Sequence, residues 1–221
     1  MNTIKKNHFA RMQKITAITL CVVFFMVSGC GKQKNEFSDN EEFFYYYFGE
    51  KIFLKQVKDK IYLNLSPYIS EEQYQELIRK DASLRQIQSF PVWRGGDPYF
   101  FAALETKDGN QIPLTIIDSF NKREEVVSVE YMYLYNGHLQ GLTNKFVIKL
   151  KETTTYAQLH ELAEQYHCTI GEENLYVKNQ FPLYVCKNSN LNAMLTANLF
   201  QESGLFEFAA PSFALSSIPC I

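Results

Sequence analysis

Lys145-Phe146-Val147-Ile148-Lys149-Leu150-Lys151 alternates apolar and polar residues with period two. That is the pattern of a strand with one face in a core and the other turned outward. Working downstream from it, Leu159, Leu162, Ala163 and Tyr166 share one helical stripe within Thr155–Tyr166, with Thr154 or Thr155 as the cap. Cys168–Val177 and Phe181–Lys187 read as strands around a Lys178–Gln180 turn. Asn190 stands where it would cap a helix over Leu191–Glu202, Gly204 ends that helix as a C′ glycine, and Leu205–Phe208 closes the run as a last strand. The order β-α-β-β-α-β suits a ferredoxin-like antiparallel sheet with both helices on one face, so the expected class is α+β.

Upstream, the same alternation of elements recurs. Phe43–Leu54 is aromatic and β-prone, broken by Gly49-Glu50, and Lys60–Leu65 alternates with period two, which together suggests a hairpin. Ser70-Glu71-Glu72-Gln73 has the form of a capping box, and Tyr74, Leu77, Ile78 and Leu84 fall on one helical face. A Pro/Gly-rich loop over Pro91–Pro98 precedes a strand at Tyr99–Thr106. A helix with Pro113 in its first turn is expected over Ile112–Phe120, and a further strand at Val126–Tyr135 ends at Asn136-Gly137.

The halves match at two offsets. Shifted by 85 residues, Lys60–Leu65 falls on Lys145–Leu150, and Gln73, Glu76 and Leu77 fall on Gln158, Glu161 and Leu162. Shifted by 80, Phe120 falls on Phe200, Val126–Val129 on Phe206–Ala209, and Tyr133 on Phe213. The expectation is two tandem ferredoxin-like (βαββαβ) modules, 43–140 and 141–215, the first diverged, followed by a C-terminal tail at 216–221.

The N-terminus has the three parts of an export signal: basic Lys5, Lys6, Arg11 and Lys14 with no acid, an apolar run Ile15–Val27, and small residues at the cut. That run is shorter than the roughly 20 residues a bilayer span needs. Val27-Ser28-Gly29-Cys30 resembles the lipobox of bacterial lipoproteins. The resemblance implies a signal peptide over 1–29, cleavage before Cys30, diacylglycerol on its sulfur and anchoring of the chain to a membrane in the cell envelope. Two or more acyl chains make such anchoring stable. Gly31 offers no evident inner-membrane retention signal, which points to the outer membrane. Residues 30–42 then form a polar tether with no apolar period.

Loss of 1–29 removes four positive charges and no negative ones from a chain of net charge −2, leaving a mature protein near −6. Such a balance argues against nucleic acid as a partner. Cys21 leaves with the signal, so Cys168, Cys186 and Cys220 remain for the folded part. Three is odd, no pair has CxxC spacing and no histidine lies at metal-ligand spacing, so no metal or other cofactor is expected. Cys168 and Cys186 read as small buried hydrophobes, with room for one disulfide.

Residues 144–213 resemble the N-terminal prodomain of subtilisin-type serine proteases, in particular the fervidolysin-like kind. The segments that carry the likeness are Lys145–Lys151, Gln158–Tyr166, Leu191-Asn192-Ala193 with Ala197-Asn198, and Ser203–Pro211. Phe43–Leu54 also looks like the region that precedes such prodomains in some lipid-anchored bacterial subtilases. The resemblance implies a non-catalytic module that docks its sheet on a subtilisin-type protease and lays its C-terminal tail through the cleft, as inhibitor or folding helper. Carried onto this sequence, the sheet contacts would be Phe146, Ile148, Tyr176, Tyr184, Phe206 and Phe208, and the tail contacts Ser212, Phe213, Ala214 and Leu215. A peptide adding to substrate strands would bind by β-augmentation.

The sequence departs from the family in three ways. Only ten residues follow Pro211, so no catalytic domain accompanies the module here; Ala210 stands in place of the family's closing Glu; and Pro219 lies within the tail. The other reading is a non-inhibitory structural or interaction lipoprotein, or the remnant N-terminal region of a protease.

Enzymatic motifs are lacking. His138 follows a turn, while His160 and His167 lie on and just after a helix, and each reads as solvated or capping. There is no G-x-S-x-G, subtilase serine motif or HExxH, and Gly95-Gly96-Asp97-Pro98 is a turn without phosphate-loop context. Glu124-Glu125 and Glu172-Glu173 lie at element ends as solvated charge. The alternating aromatics of Phe43–Phe48 would place one face on the core and the other toward a partner.

Overall fold

The structure is a computed structural model that describes residues 43–94 and 97–219, with side chains for 43–87 and 100–214. Thirteen elements follow one another. The first seven are β1 (Phe43–Tyr47), β2 (Glu50–Leu65), α1 (Glu71–Arg79), β3 (Leu84–Arg94), β4 (Asp97–Thr106), α2 (Leu114–Asn121) and β5 (Val126–Tyr135). The rest are β6 (His138–Leu150), α3 (Tyr156–Gln165), β7 (Cys168–Ile170), β8 (Gln180–Val185), α4 (Ala193–Glu202) and β9 (Phe206–Pro219). The class is α+β, and every strand pair is antiparallel.

The strands form one nine-stranded sheet of order β3-β4-β2-β5-β6-β8-β7, with β1 on β2 and β9 on β6. Counted within β2–β5, the order is second, third, first, fourth; counted within β6–β9, it is the same. The β5–β6 hairpin, turning at Asn136 and Gly137 with φ of +49° and +79°, joins the two sets. The described residues from Phe43 to Pro219 belong to a single compact unit.

Each set has a core on one sheet face. In the first, Leu77 of α1 and Ile117 and Phe120 of α2 cover Ile61, Leu63, Leu104 and Val129. In the second, Leu159 and Ala163 of α3 and Met194, Ala197 and Phe200 of α4 cover Phe146, Ile148, Leu183 and Phe206. The helix starts correspond residue for residue. Ser70 and Thr155 each accept from the backbone N–H three residues on, and Gln73 and Gln158 return a bond to the cap residue's own N–H, so both are capping boxes 85 residues apart. Phe120 and Phe200, 80 apart, are both fully buried.

Several boundaries differ from those expected. The first hairpin closes within Phe43–Leu54, and β2 runs unbroken from Glu50 to Leu65. The Pro91–Pro98 loop is instead the end of a β3–β4 hairpin. Pro91 is accommodated because β3 is an edge strand, where a missing N–H breaks no ladder. Leu84 starts β3 rather than lining α1. Pro113 is the residue before α2, and Asn192, not Asn190, caps α4 by accepting from Leu195 N at 3.0 Å. The second strand of the later half is only Cys168–Ile170.

A third apolar cluster lies on the opposite face of the first set: Tyr62, Phe101, Ala103, Met132 and Leu139, with Ala214 against it. It is covered because the start of β6 passes directly over Tyr62. A Cβ placed on Gly141 would meet the Tyr62 ring at 2.2 Å, so only glycine permits this approach. Cys168 faces the core with its partner Val185, whereas the neighbouring Cys186 meets Thr169 on the other face at 3.5 Å. The two thiols are free and half-buried, on opposite faces, which corrects the expectation that they are buried hydrophobes with room for a bond.

Candidate partner-docking face

The helix-free side of the β6–β9 set is built by strict alternation. On β8, Phe181, Leu183 and Val185 point to the helices, leaving Gln180, Pro182 and Tyr184 outward. Their partners on β6 are Lys149, Val147 and Lys145, and across β6 lie Phe208 and Ala210 of β9. Val147, Pro182, Tyr184, Phe208 and Ala210 are half-buried, an apolar strip bordered by Lys145, whose ammonium lies 6.0 Å from the Tyr184 ring, and by the Lys149–Glu207 pair at 2.6 Å.

The loop from β7 to β8 extends this face. Leu175 and Tyr176 are more than nine-tenths exposed, yet their backbone is fixed. The Asn174 carboxamide oxygen accepts from Tyr176 N at 2.8 Å and Val177 N at 3.2 Å, and Asn174 N donates to Gln180 O at 2.8 Å. Asn179, at φ +62°, donates its N–H to Glu173. Large apolar side chains on an ordered loop lose little freedom on binding.

Of the six sheet residues suggested by sequence, the structure brings Tyr184 and Phe208 to this face and places Tyr176 in the loop beside it. Phe146, Ile148 and Phe206 do not belong to the surface. They are essentially inaccessible, because alternation turns them toward α3 and α4; Phe146 packs edge-on against Phe200 at 5.0 Å and Phe206 stacks on it at 5.2 Å. Val147, Pro182 and Ala210 are outward residues beyond those six.

The tail residues suggested by sequence, Ser212–Leu215, continue β9 along β6: Phe213 opposes Leu142, Ala214 opposes Gly141 and Leu215 opposes Gln140. Thr143 Oγ1 donates to Ser212 O at 2.9 Å, and the Phe213 ring lies 5.4 Å from Tyr45 and 6.4 Å from Tyr133, on the core side. Cys30 and the signal and tether segments lie outside the described residues.

A second feature escaped the sequence entirely. A polar cleft between β5, β6 and the start of α4 is lined by Ser128, Glu130, Asn144, Cys186 and Asn192. Enclosure raises the Glu130 carboxyl from its ordinary 4.5 to about 7, opposed by the hydrogen bond that Asn192 Nδ2 donates to its Oε2 at 3.3 Å. The Ser128 hydroxyl is buried there without a hydrogen-bond partner among the described residues. Asn144 accepts from Asn64 at 2.9 Å, and Lys187 Nζ donates to Val126 O at 2.8 Å, so the cleft walls tie the two strand sets together. Burial holds the nearby Tyr133 hydroxyl neutral, and the Glu130 carboxyl adds to that effect.

No group of three or more His, Cys, Asp or Glu among the described residues could hold a metal ion, and no helix among them is long and apolar enough to cross a membrane. No known family model matches the chain, and no curated protein matches it.

Proposed function

We propose that this chain is a lipid-anchored, non-catalytic binding protein made of two tandem ferredoxin-like modules, the second of which docks on a subtilisin-type serine protease. The lipid is carried by Cys30 and holds the protein in the cell envelope, at the outer membrane. The observation that carries the reading is the helix-free face of the β6–β9 set, with half-buried Val147, Pro182, Tyr184 and Phe208 and the exposed Leu175 and Tyr176 beside it. The recurrence of capping boxes 85 residues apart supports the tandem arrangement. Docking through the face favours a folding helper or a partner that occupies the protease's flank. It does not draw on Ser212–Leu215, which are engaged in the protein's own sheet.

The test is complex formation and refolding assistance with purified subtilases of the same organism, using residues 31–221. A complex that survives gel filtration, and is lost in a Val147→Glu, Tyr184→Glu double variant that still folds, is expected. No complex and no change in protease refolding or activity with any of those proteases would overturn the proposal.

A further inference from the structure

We infer that the tip of the β1–β2 hairpin is a second membrane contact, which seats in the headgroup region of the bilayer that the lipid on Cys30 has already reached. Tyr47, Phe48 and Phe53 are 54, 80 and 54 % exposed, and the outer face of the same hairpin carries Phe44 and Tyr46. Lys51 lies over the Phe44 ring at 4.0 Å, a cation set among aromatic rings. Aromatic rings with a lysine that can reach outward are the side chains that partition to the membrane–water boundary.

Phe48 occupies a position its chemistry does not favour. With φ of +48° at Phe48 and +82° at Gly49, the turn has positive φ at both central positions, where Asn-Gly is the ordinary pair. A bulky aromatic there strains its own backbone. Folding does not reward that strain: among the described residues the Phe48 ring lies against the neighbouring Tyr47 ring, 4.6 Å away, and most of its surface is exposed.

Chain length selects the membrane as occupant over a distant partner. Twelve residues separate Cys30 from Phe43, a span of at most about 45 Å even when fully extended. The hairpin is the first described element beyond Cys30, and that span confines its tip within reach of the surface. Its opposite face is fixed on the protein, Phe43 packing on Tyr133 at 5.6 Å and Tyr45 on Phe213 at 5.4 Å, and α4 holds the strand itself: Asn198 donates to Phe44 O at 2.8 Å and the Tyr46 hydroxyl donates to Glu202 at 2.9 Å. The tip is thus rigidly mounted.

The inference rests on the lipid-anchor reading for its geometry, but its test does not use the lipid. Residues 31–221 retain the whole compact unit. A Phe48→Trp variant would be mixed with vesicles of three parts phosphatidylethanolamine to one part phosphatidylglycerol, with and without brominated acyl chains. Blue-shifted emission from position 48 and its quenching by bromine are expected. A Phe48→Asn, Phe53→Thr variant, in which Asn relieves the turn, should fold and bind the vesicles at least about tenfold more weakly, as loss of two buried rings requires. Unshifted emission, or a double variant that binds as well as the parent, would overturn the inference. So would a shift produced by a subtilase and not by vesicles, which would assign the tip to a protein interface. Lipidation of Cys30 is read separately, by mass spectrometry of the full chain expressed in a lipoprotein-processing bacterium, so either idea can fail alone.

Discussion

Glu130 offers the sharpest test of the seam between the two strand sets. Its carboxyl is enclosed between β5 and the N-terminus of α4, and that enclosure raises it from 4.5 to about 7. The folded state therefore holds the proton more tightly than the unfolded state does. Its stabilising contribution is complete below about pH 4.5, is lost as pH rises through 7, and is constant above. At about 1.4 kcal/mol per pH unit between the two values, the loss reaches at most about 3 kcal/mol, and water in the cleft would reduce it to about 1–3 kcal/mol.

Glu130→Gln keeps an oxygen for the Asn192 amide and removes the charge. Urea denaturation of residues 31–221, followed by circular dichroism from pH 5 to pH 8.5, should show variant and parent nearly equal at the acid end. The variant should become the more stable by about 1–3 kcal/mol at pH 8.5. Comparing the two proteins removes the opposing contribution of Glu105, which Lys60 and Arg85 hold below the ordinary range, and that of Glu125 beside Arg123. A difference between variant and parent that does not change with pH would refute the reasoning. A parent that gains stability from pH 5 to 7 relative to the variant would do the same.

Four further outcomes are expected. Gly141→Ala should destabilise by about 2–4 kcal/mol in the same assay, since its methyl must displace the buried Tyr62 ring. Phe146→Ala should cost about 3–5 kcal/mol, whereas Tyr184→Ala, on the opposite face of the same strand pair, should cost under about 1.5 kcal/mol while weakening the proposed complex. Thr155→Ala and Ser70→Ala should each cost about 1 kcal/mol by the same mechanism, loss of a cap to α3 or α1. Alkylation and mass spectrometry of the air-oxidised protein should find no bond between Cys168 and Cys186, because their sulfurs lie on opposite faces; the Cys168 thiol, raised to about 12 by burial and the nearby Cys186, should also label slowly at pH 8.

The elements that could be read from sequence are those whose information is local. The Ser70–Gln73 capping box needs only four residues and was legible for that reason, whereas the cap of α3 was narrowed only to Thr154 or Thr155, which the structure resolves to Thr155 with Gln158. The alternation of KFVIKLK correctly separated Phe146 and Ile148 from Val147 and Lys149. The error lay in assigning the apolar members to a docking face, although helices on one side of the sheet must claim them. Glu130 was illegible because a lone acid in Val-Ser-Val-Glu-Tyr reads as solvated. What encloses it is Asn192, sixty-two residues away, at the start of a helix whose cap was itself placed two residues early. The length of β9 was hidden by Pro211 and Pro219, which suggest a broken strand in isolation but are tolerated on a strand paired along only one side.

That long β9 strand bears directly on how the proposed protease complex could form. A tail that enters a protease cleft must first be free, and here Ser212–Leu215 would have to leave the β6 ladder and withdraw Phe213 from Tyr45 and Tyr133. Three ladder positions at about 0.5–1.5 kcal/mol each, with the ring's burial beside them, place the release at roughly 3–7 kcal/mol. Binding through the tail would be weakened by that whole amount, a factor of at least about a hundred. The face formed by Val147, Pro182, Tyr184 and Phe208 bears no such cost, because it is already assembled and open. Truncation separates the two routes. Ending the chain after Pro211 removes every residue the tail route requires and leaves the outward strip intact, although the loss of Phe213 from the core would cost about 2–4 kcal/mol. If the truncated protein, under conditions where it remains folded, still forms the protease complex within about threefold of the parent's affinity, the face is the binding surface. If binding disappears while the Val147→Glu, Tyr184→Glu variant binds normally, the tail is the binding element, and β9 must open to act.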